Sequence, residues 1–136
     1  MPPLRTRNIF ISHAWNYNEH YWKVVKWLDE AQNFSWENHS VPEHDSCKDD
    51  TTIQKLQECM DKQIGKSNCV VIFAGMYAAY SDWIEYEIRE AYIQDKTIIG
   101  VKPWGQEKMP QIIQDYADEI VGWNQASVVG AIRKNT

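Results

Sequence analysis

Cysteine is scarce in this chain: Cys47, Cys59 and Cys69 are the only three in 136 residues, and none stands in CxxC spacing. That count indicates neither a disulfide framework nor a zinc site, and a reduced, cytoplasmic protein is the simplest expectation. Basic charge is short as well, with 14 Lys and Arg against 19 Asp and Glu, a net charge of −5 and a pI near 5.3. Nucleic-acid phosphates reward basic faces, so no nucleic-acid partner is expected. Long apolar runs are missing. The longest, "CVVIFAGMYAAY" from residue 69, is too short to span a bilayer. The opening "MPPLRTRNIFISH" lacks the apolar stretch and cleavage site of a secretory leader. No membrane association is expected. Neither GxGxxG nor a Walker loop occurs, which removes the commonest phosphate cradles.

Tryptophan, by contrast, is abundant, with seven indoles. Trp22, Trp27 and Trp36 read as core fillers. Trp15, Trp83 and Trp104 fall beside loops or on helix surfaces, where an indole can stack on a ring or anchor a partner. A hydrophobic share of 43% and a charged share of 24% suit one globular domain spanning 1–136, long enough to bury a proper core.

Strand and helix patterns alternate along the chain. "NIFIS" (8–12) is uncharged and β-branched, as a strand covered on both faces should be. Asn18 can cap a following helix whose apolar stripe is Tyr21, Val24, Val25, Leu28 and Ala31. "FSWEN" (34–38) reads as a shorter strand, followed by the polar loop "HSVPEHDSCKDD". Thr51 with Gln54 forms a capping box opening a helix with the stripe Ile53, Leu56, Met60 and Ile64, and Gly65 ends it. "CVVIFA" (69–74) belongs at the centre of the sheet. A helix over roughly 81–95, the strand "TIIGV" (97–101), a short helix near 109–117, a last strand near 119–123 and the helix "ASVVGAIRK" complete the order. Five such alternations imply an α/β fold: a flavodoxin-like, doubly wound sheet of five parallel strands with helices on both faces. Ligands of such sheets sit beyond the carboxyl ends of the strands, near the switch point.

A phospho-accepting receiver domain shares that architecture but needs an Asp after the third strand and acids after the first. Ala74-Gly75 and Ser12-His13 stand there instead. The loop "ENHSVPEHDSCKDD" gathers His39, His44, Asp45, Cys47 and Asp49 in no recognised zinc spacing, so no metal is expected. It reads as a solvated loop whose length and position beside the switch point suit a lid.

"SDWIEYEIREA" (81–91) carries four carboxylates. On a helical wheel Ile84, Ile88, Ala91 and Tyr92 form the buried stripe. Asp82 can cap the helix. Glu85 precedes Arg89 by four residues, a helical pair worth about 0.2–0.5 kcal/mol. Glu90 lies toward water. Glu87 differs: Trp83 and Ala91 flank it one turn away on either side, and it sits beside the stripe, between core and cleft. A carboxylate in that company suits the stabilisation of a developing positive charge.

"NIFISHAW", the run "IQKLQECMDKQIGKSNCVVIFAGMYAAYSDWIEYEIREA", "TIIGVKPWG" and "EIVGWN" together resemble TIR domains, most closely the TIR-like branch of bacterial antiphage systems such as Thoeris. Ser81, Trp83, Glu87, Ile88 and Ala91 fall on the family's Ser-x-Trp-Cys-x-x-Glu-Leu-x-x-Ala pattern, with Ile84 in place of the Cys. The resemblance implies a catalytic role for Glu87 and cleavage of the nicotinamide–ribose bond of NAD, a substrate rather than a cofactor. It implies a cyclic ADP-ribose-type product that diffuses to a separate effector. Ser12, His13, Ala14 and Trp15 would line the pocket floor, Asn38 and Ser40 its border, and Trp83 would stack beside the ribosyl or nicotinamide ring. Self-association through TIR surfaces is a further expectation. Two alternatives stand beside this one: a non-catalytic TIR module that assembles or docks a partner, and a nucleoside deoxyribosyltransferase of similar fold.

Overall fold

A computed structural model describes residues 6–12, 19–40, 53–73, 77–102 and 110–136. Strands and helices alternate through them: β1 (Thr6–Ile11), α1 (Glu19–Glu30), β2 (Ser35–Asn38), α2 (Ile53–Gly65), β3 (Cys69–Phe73), α3 (Tyr77–Ile93), β4 (Thr97–Lys102), α4 (Gln111–Tyr116), β5 (Glu119–Gly122) and α5 (Gln125–Asn135). Every strand pair is parallel, and the five strands lie in the order β2-β1-β3-β4-β5. This is the expected flavodoxin-like sheet, with its switch point between β1 and β3.

Right-handed crossovers dictate which face each helix covers. The step from β1 to β2 runs one way along the sheet, and the later steps run the other way. Helix α1 therefore covers one face, where α5 packs against it, while α2, α3 and α4 cover the other. Between them β3 is buried at every residue, which is why "CVVIF" carries no polar alternation. The edge strand β5, covered less, alternates half-buried and exposed positions.

Local chemistry ends the elements cleanly. Asn124 caps α5, its side-chain oxygen accepting from the Ser127 amide at 2.8 Å. Helix α3 closes in a Schellman turn: Asp95 adopts φ 59°, the Lys96 amide donates to Ala91 O at 2.9 Å, and the Asp95 amide donates to Tyr92 O at 3.1 Å. At Gly100 in β4 an added Cβ would lie 2.8 Å from the Ile113 side chain, so the missing side chain is what lets α4 press onto the sheet.

Several expectations need correction. Helix α3 begins at Tyr77, not near 81, because "YAAY" is helix-compatible and no Gly or Pro separates it from the residues after it. Asp82 therefore lies inside the helix and cannot be its cap. Tyr92 is 62% exposed, since one residue past Ala91 turns it about 100° off the buried stripe; its ring meets Tyr116 edge-on at 5.0 Å. Trp22, read as core, is 57% exposed for the same reason: it comes one residue after Tyr21 and falls off the stripe of Tyr21, Val24 and Leu28. Trp27 and Trp36 do pack against the core. Cys59 is disulfide-bonded, against the expectation of reduced thiols, since an odd count still allows one pair with one cysteine left over. Cys69 is free and buried, and burial, then the Asp118 carboxylate, push its thiol far above the ordinary range. Among the described residues no helix is long and apolar enough to cross a membrane.

Candidate functional site

Past the last residue of β1 the ladder continues: the Ser12 amide donates to Val71 O of β3 at 2.9 Å, and the His39 amide donates to Ile9 O of β1 at 2.9 Å. These two bonds carry the carboxyl ends of β2, β1 and β3 to one corner of the sheet. Side chains then lock that corner. Ser40 Oγ accepts from the buried Ile11 amide at 2.8 Å, taking the place a strand carbonyl would hold. Asn38 Oδ1 accepts from the Ser40 amide at 3.0 Å, and Asn38 Nδ2 donates to the Tyr21 hydroxyl at 2.7 Å. One chain of hydrogen bonds thus runs from α1 through β2 to the end of β1.

Ser12 and Ser40 are buried, while Asn38 is exposed. The Ser12 hydroxyl is enclosed and makes no hydrogen bond among the described residues. Leaving a buried hydroxyl unsatisfied costs about 1–3 kcal/mol, which a substrate hydroxyl or phosphate oxygen would recover. His39 is half-buried, its Nε2 3.4 Å from Glu37 Oε2.

Glu87 comes from the other face, on α3, the helix after β3 across the switch from β1. It is 2% exposed and shares its stripe with Ile84, Ile88 and Ala91. Its place is thus within the apolar stripe, not beside it: positions 84, 87, 88 and 91 are the i, i+3, i+4, i+7 set that faces a core. Packing alone calls for Leu or Ile at such a position, and a carboxyl there carries a desolvation cost that needs a reason.

Of the expected pocket residues, the structure brings Asn38 and Ser40 into one bonded corner next to Ser12. Trp83 lies one helical turn before Glu87 on α3; its side chain is outside the described set. His13, Ala14 and Trp15 also fall outside the described residues, as do His44, Asp45, Cys47 and Asp49 of the polar loop. Among the described residues no three His, Cys, Asp or Glu side chains stand within reach of one metal ion. Sequence reasoning missed Tyr21 as part of the corner, assigning it to the core alone. It is both: 7% exposed, with its hydroxyl holding Asn38. The available signal was a tyrosine, rather than phenylalanine or leucine, in the first turn of a helix beside a strand's carboxyl end.

A sequence model of the TIR-like domain of the Thoeris protein ThsB matches residues 10–108. No curated protein matches the sequence. Among solved structures, the chain is similar to a Clostridium botulinum CMP N-glycosidase, BcmB, at 14% identity, covering 93% of this chain and 99% of that one with a TM-score of 0.59. At that identity the likeness concerns the fold.

Proposed function

Because the chain belongs to the family of the Thoeris ThsB TIR-like domain, we propose that it is a nucleotide N-ribosyl hydrolase or cyclase of antiphage defence that cleaves NAD between nicotinamide and ribose. The observation that carries this reading is Glu87, a carboxyl 2% exposed in an apolar helix stripe. Cleavage of a nicotinamide riboside bond needs little acid catalysis, because nicotinamide departs neutral from a cationic ring. The ribose carbon it leaves becomes oxocarbenium-like, and a fixed carboxylate in a dry site stabilises that charge far better than water does. The leaving C–N electron pair goes to nicotinamide. Water, or the adenine end of the same molecule, then bonds to the ribose carbon and gives up one proton to solvent, leaving linear or cyclic ADP-ribose.

The other residues have positioning work. The Ser12 hydroxyl, at the switch point, would take a ribose hydroxyl or phosphate oxygen. Asn38 and Ser40, fixed by Tyr21 and Ile11, keep the β1–β2 corner rigid, with the exposed Asn38 at its rim. Trp83, His13, Ala14 and Trp15 are proposed to complete the pocket, as the family pattern implies. The product would act on a separate effector as a diffusible nucleotide, and the site would work without a metal or cofactor.

The test is chromatography with mass detection of NAD incubated with concentrated wild-type protein and with Glu87→Gln. Nicotinamide release by wild type, reduced at least about 100-fold in the variant, is expected for loss of a principal electrostatic stabiliser. CMP serves as the second substrate, because a protein of this fold is a CMP N-glycosidase. Cytosine release with NAD left intact would keep the N-ribosyl chemistry and replace the substrate. No turnover of either, at any concentration and with lysate of infected cells added, would leave a TIR module that acts by assembly or docking.

A further inference from the structure

Helix α3 carries a second stripe beside the one that holds Glu87. Tyr86 and Glu90, with Gln94 just past the helix end, recur at four-residue spacing, and Tyr86 and Gln94 bond to α2. The Tyr86 hydroxyl donates to Asp61 Oδ1 at 2.6 Å. Gln94 Nε2 donates to the Asp61 carbonyl at 3.2 Å and to Glu90 Oε1 at 2.9 Å. At the far end Lys96 Nζ reaches the Gly65 carbonyl at 3.2 Å, where the glycine leaves room for Gln94: a Cβ there would lie 3.0 Å from the Gln94 Oε1. Asp61 therefore receives two bonds, one on its side chain from α3 and one on its backbone from the residue that follows α3.

Apolar packing between helices is non-directional and tolerates small rotations and slides. A short hydrogen bond does not, because its strength falls steeply with angle. Tyr86 and Glu87 are neighbours, about 100° apart around the helix. Whatever fixes the azimuth of the Tyr86 phenol fixes the direction in which Glu87 leaves the backbone. Burial raises the affinity of the Tyr86 phenol for its proton, and the Asp61 hydrogen bond and charge and the Glu90 charge raise it further, so the hydroxyl stays a donor across the working pH range.

We infer that Asp61 and Tyr86 are positioning residues for Glu87: a polar clamp between α2 and α3 that sets the rotation of α3 and hence the aim of its buried carboxyl. The kinetic consequence rests on the reading of Glu87 as the catalytic carboxylate; the geometric one does not. Tyr86→Phe removes only the hydroxyl, Asp61→Ala removes the acceptor, and Asp61→Asn keeps an acceptor oxygen in place.

The experiment uses the full chain labelled with carboxyl-13C glutamate, in which the Glu87 resonance is the one lost in Glu87→Gln. Its chemical shift is followed in all three clamp variants, alongside melting temperature and NAD turnover. The expected result is a displaced Glu87 resonance in Tyr86→Phe and in Asp61→Ala, with Asp61→Asn close to wild type. Turnover should fall in the same two variants by up to about 100-fold in kcat, the order of loss for a misplaced catalytic group. KM should stay within about twofold, since substrate binding is not what changes. A clamp that serves only stability would lower the melting temperature and leave the Glu87 resonance and the kcat of folded protein unmoved, and that result overturns the inference. If wild type fails to turn over NAD, the functional reading fails, and the resonance alone still decides the clamp.

Discussion

At Ser40 the side chain does what a backbone carbonyl normally does. The Ile11 amide is buried at the end of β1, and its acceptor is the Ser40 hydroxyl 29 residues away. Ser40→Ala removes that acceptor from a buried amide, an expected loss of about 1–3 kcal/mol. Urea unfolding should show the midpoint falling with an unchanged slope, because the surface exposed on unfolding stays the same. An unaltered midpoint would mean that another group takes the amide. Ser12 is the converse case, a hydroxyl enclosed with no hydrogen bond among the described residues. The identity of both serines is plain in the sequence. Their opposite situations, one hydroxyl bonded into the fold and one proposed to take a ligand, depend on the strand ends that surround them.

Helix α4 approaches β4 closely only because position 100 has no side chain. Gly100→Ala would drive its methyl to 2.8 Å from Ile113, a buried side chain with little room to yield. Overpacking of that kind costs about 1–3 kcal/mol. Thermal unfolding should report the loss, while Gly122→Ala, whose Cβ meets nothing nearer than 3.9 Å, serves as the neutral control. Equal melting temperatures for the two would show that α4 can lift off the sheet without penalty. The same scale explains where reading the pattern fell short. Periodicity identified the faces of α1 and α3, but Tyr92 and Trp22 sit one residue off a stripe and turn to solvent. A hydrophobic residue type states a preference, and the helix phase decides whether the preference is met. Glu87 shows the reverse: its polarity suggested the border of the stripe, and the helix phase puts it inside.

For the molecule as a whole, binding and stability are linked. A ligand that binds only the folded state stabilises it by about 2.7 kcal/mol at 100 times its dissociation constant. Glu87→Gln, expected to bind NAD without consuming it, should therefore melt at a temperature that climbs with NAD concentration. A flat melting curve, with CMP raising it instead, would reassign the substrate. The order of elements, the five parallel strands, the central place of "CVVIF" and the family were all legible in the sequence, because each rests on local periodicity or on a run of residues in unbroken order. The links between distant segments were not. Asn38 meets Tyr21 across 17 positions, Asp61 meets Tyr86 across 25, and Ser40 caps β1 across 29. Contacts of that kind depend on how far each helix is rotated and on the register in which each strand pairs. Periodicity tells which face of an element is buried, but only the packed sheet and its helices decide which side chain that face will meet.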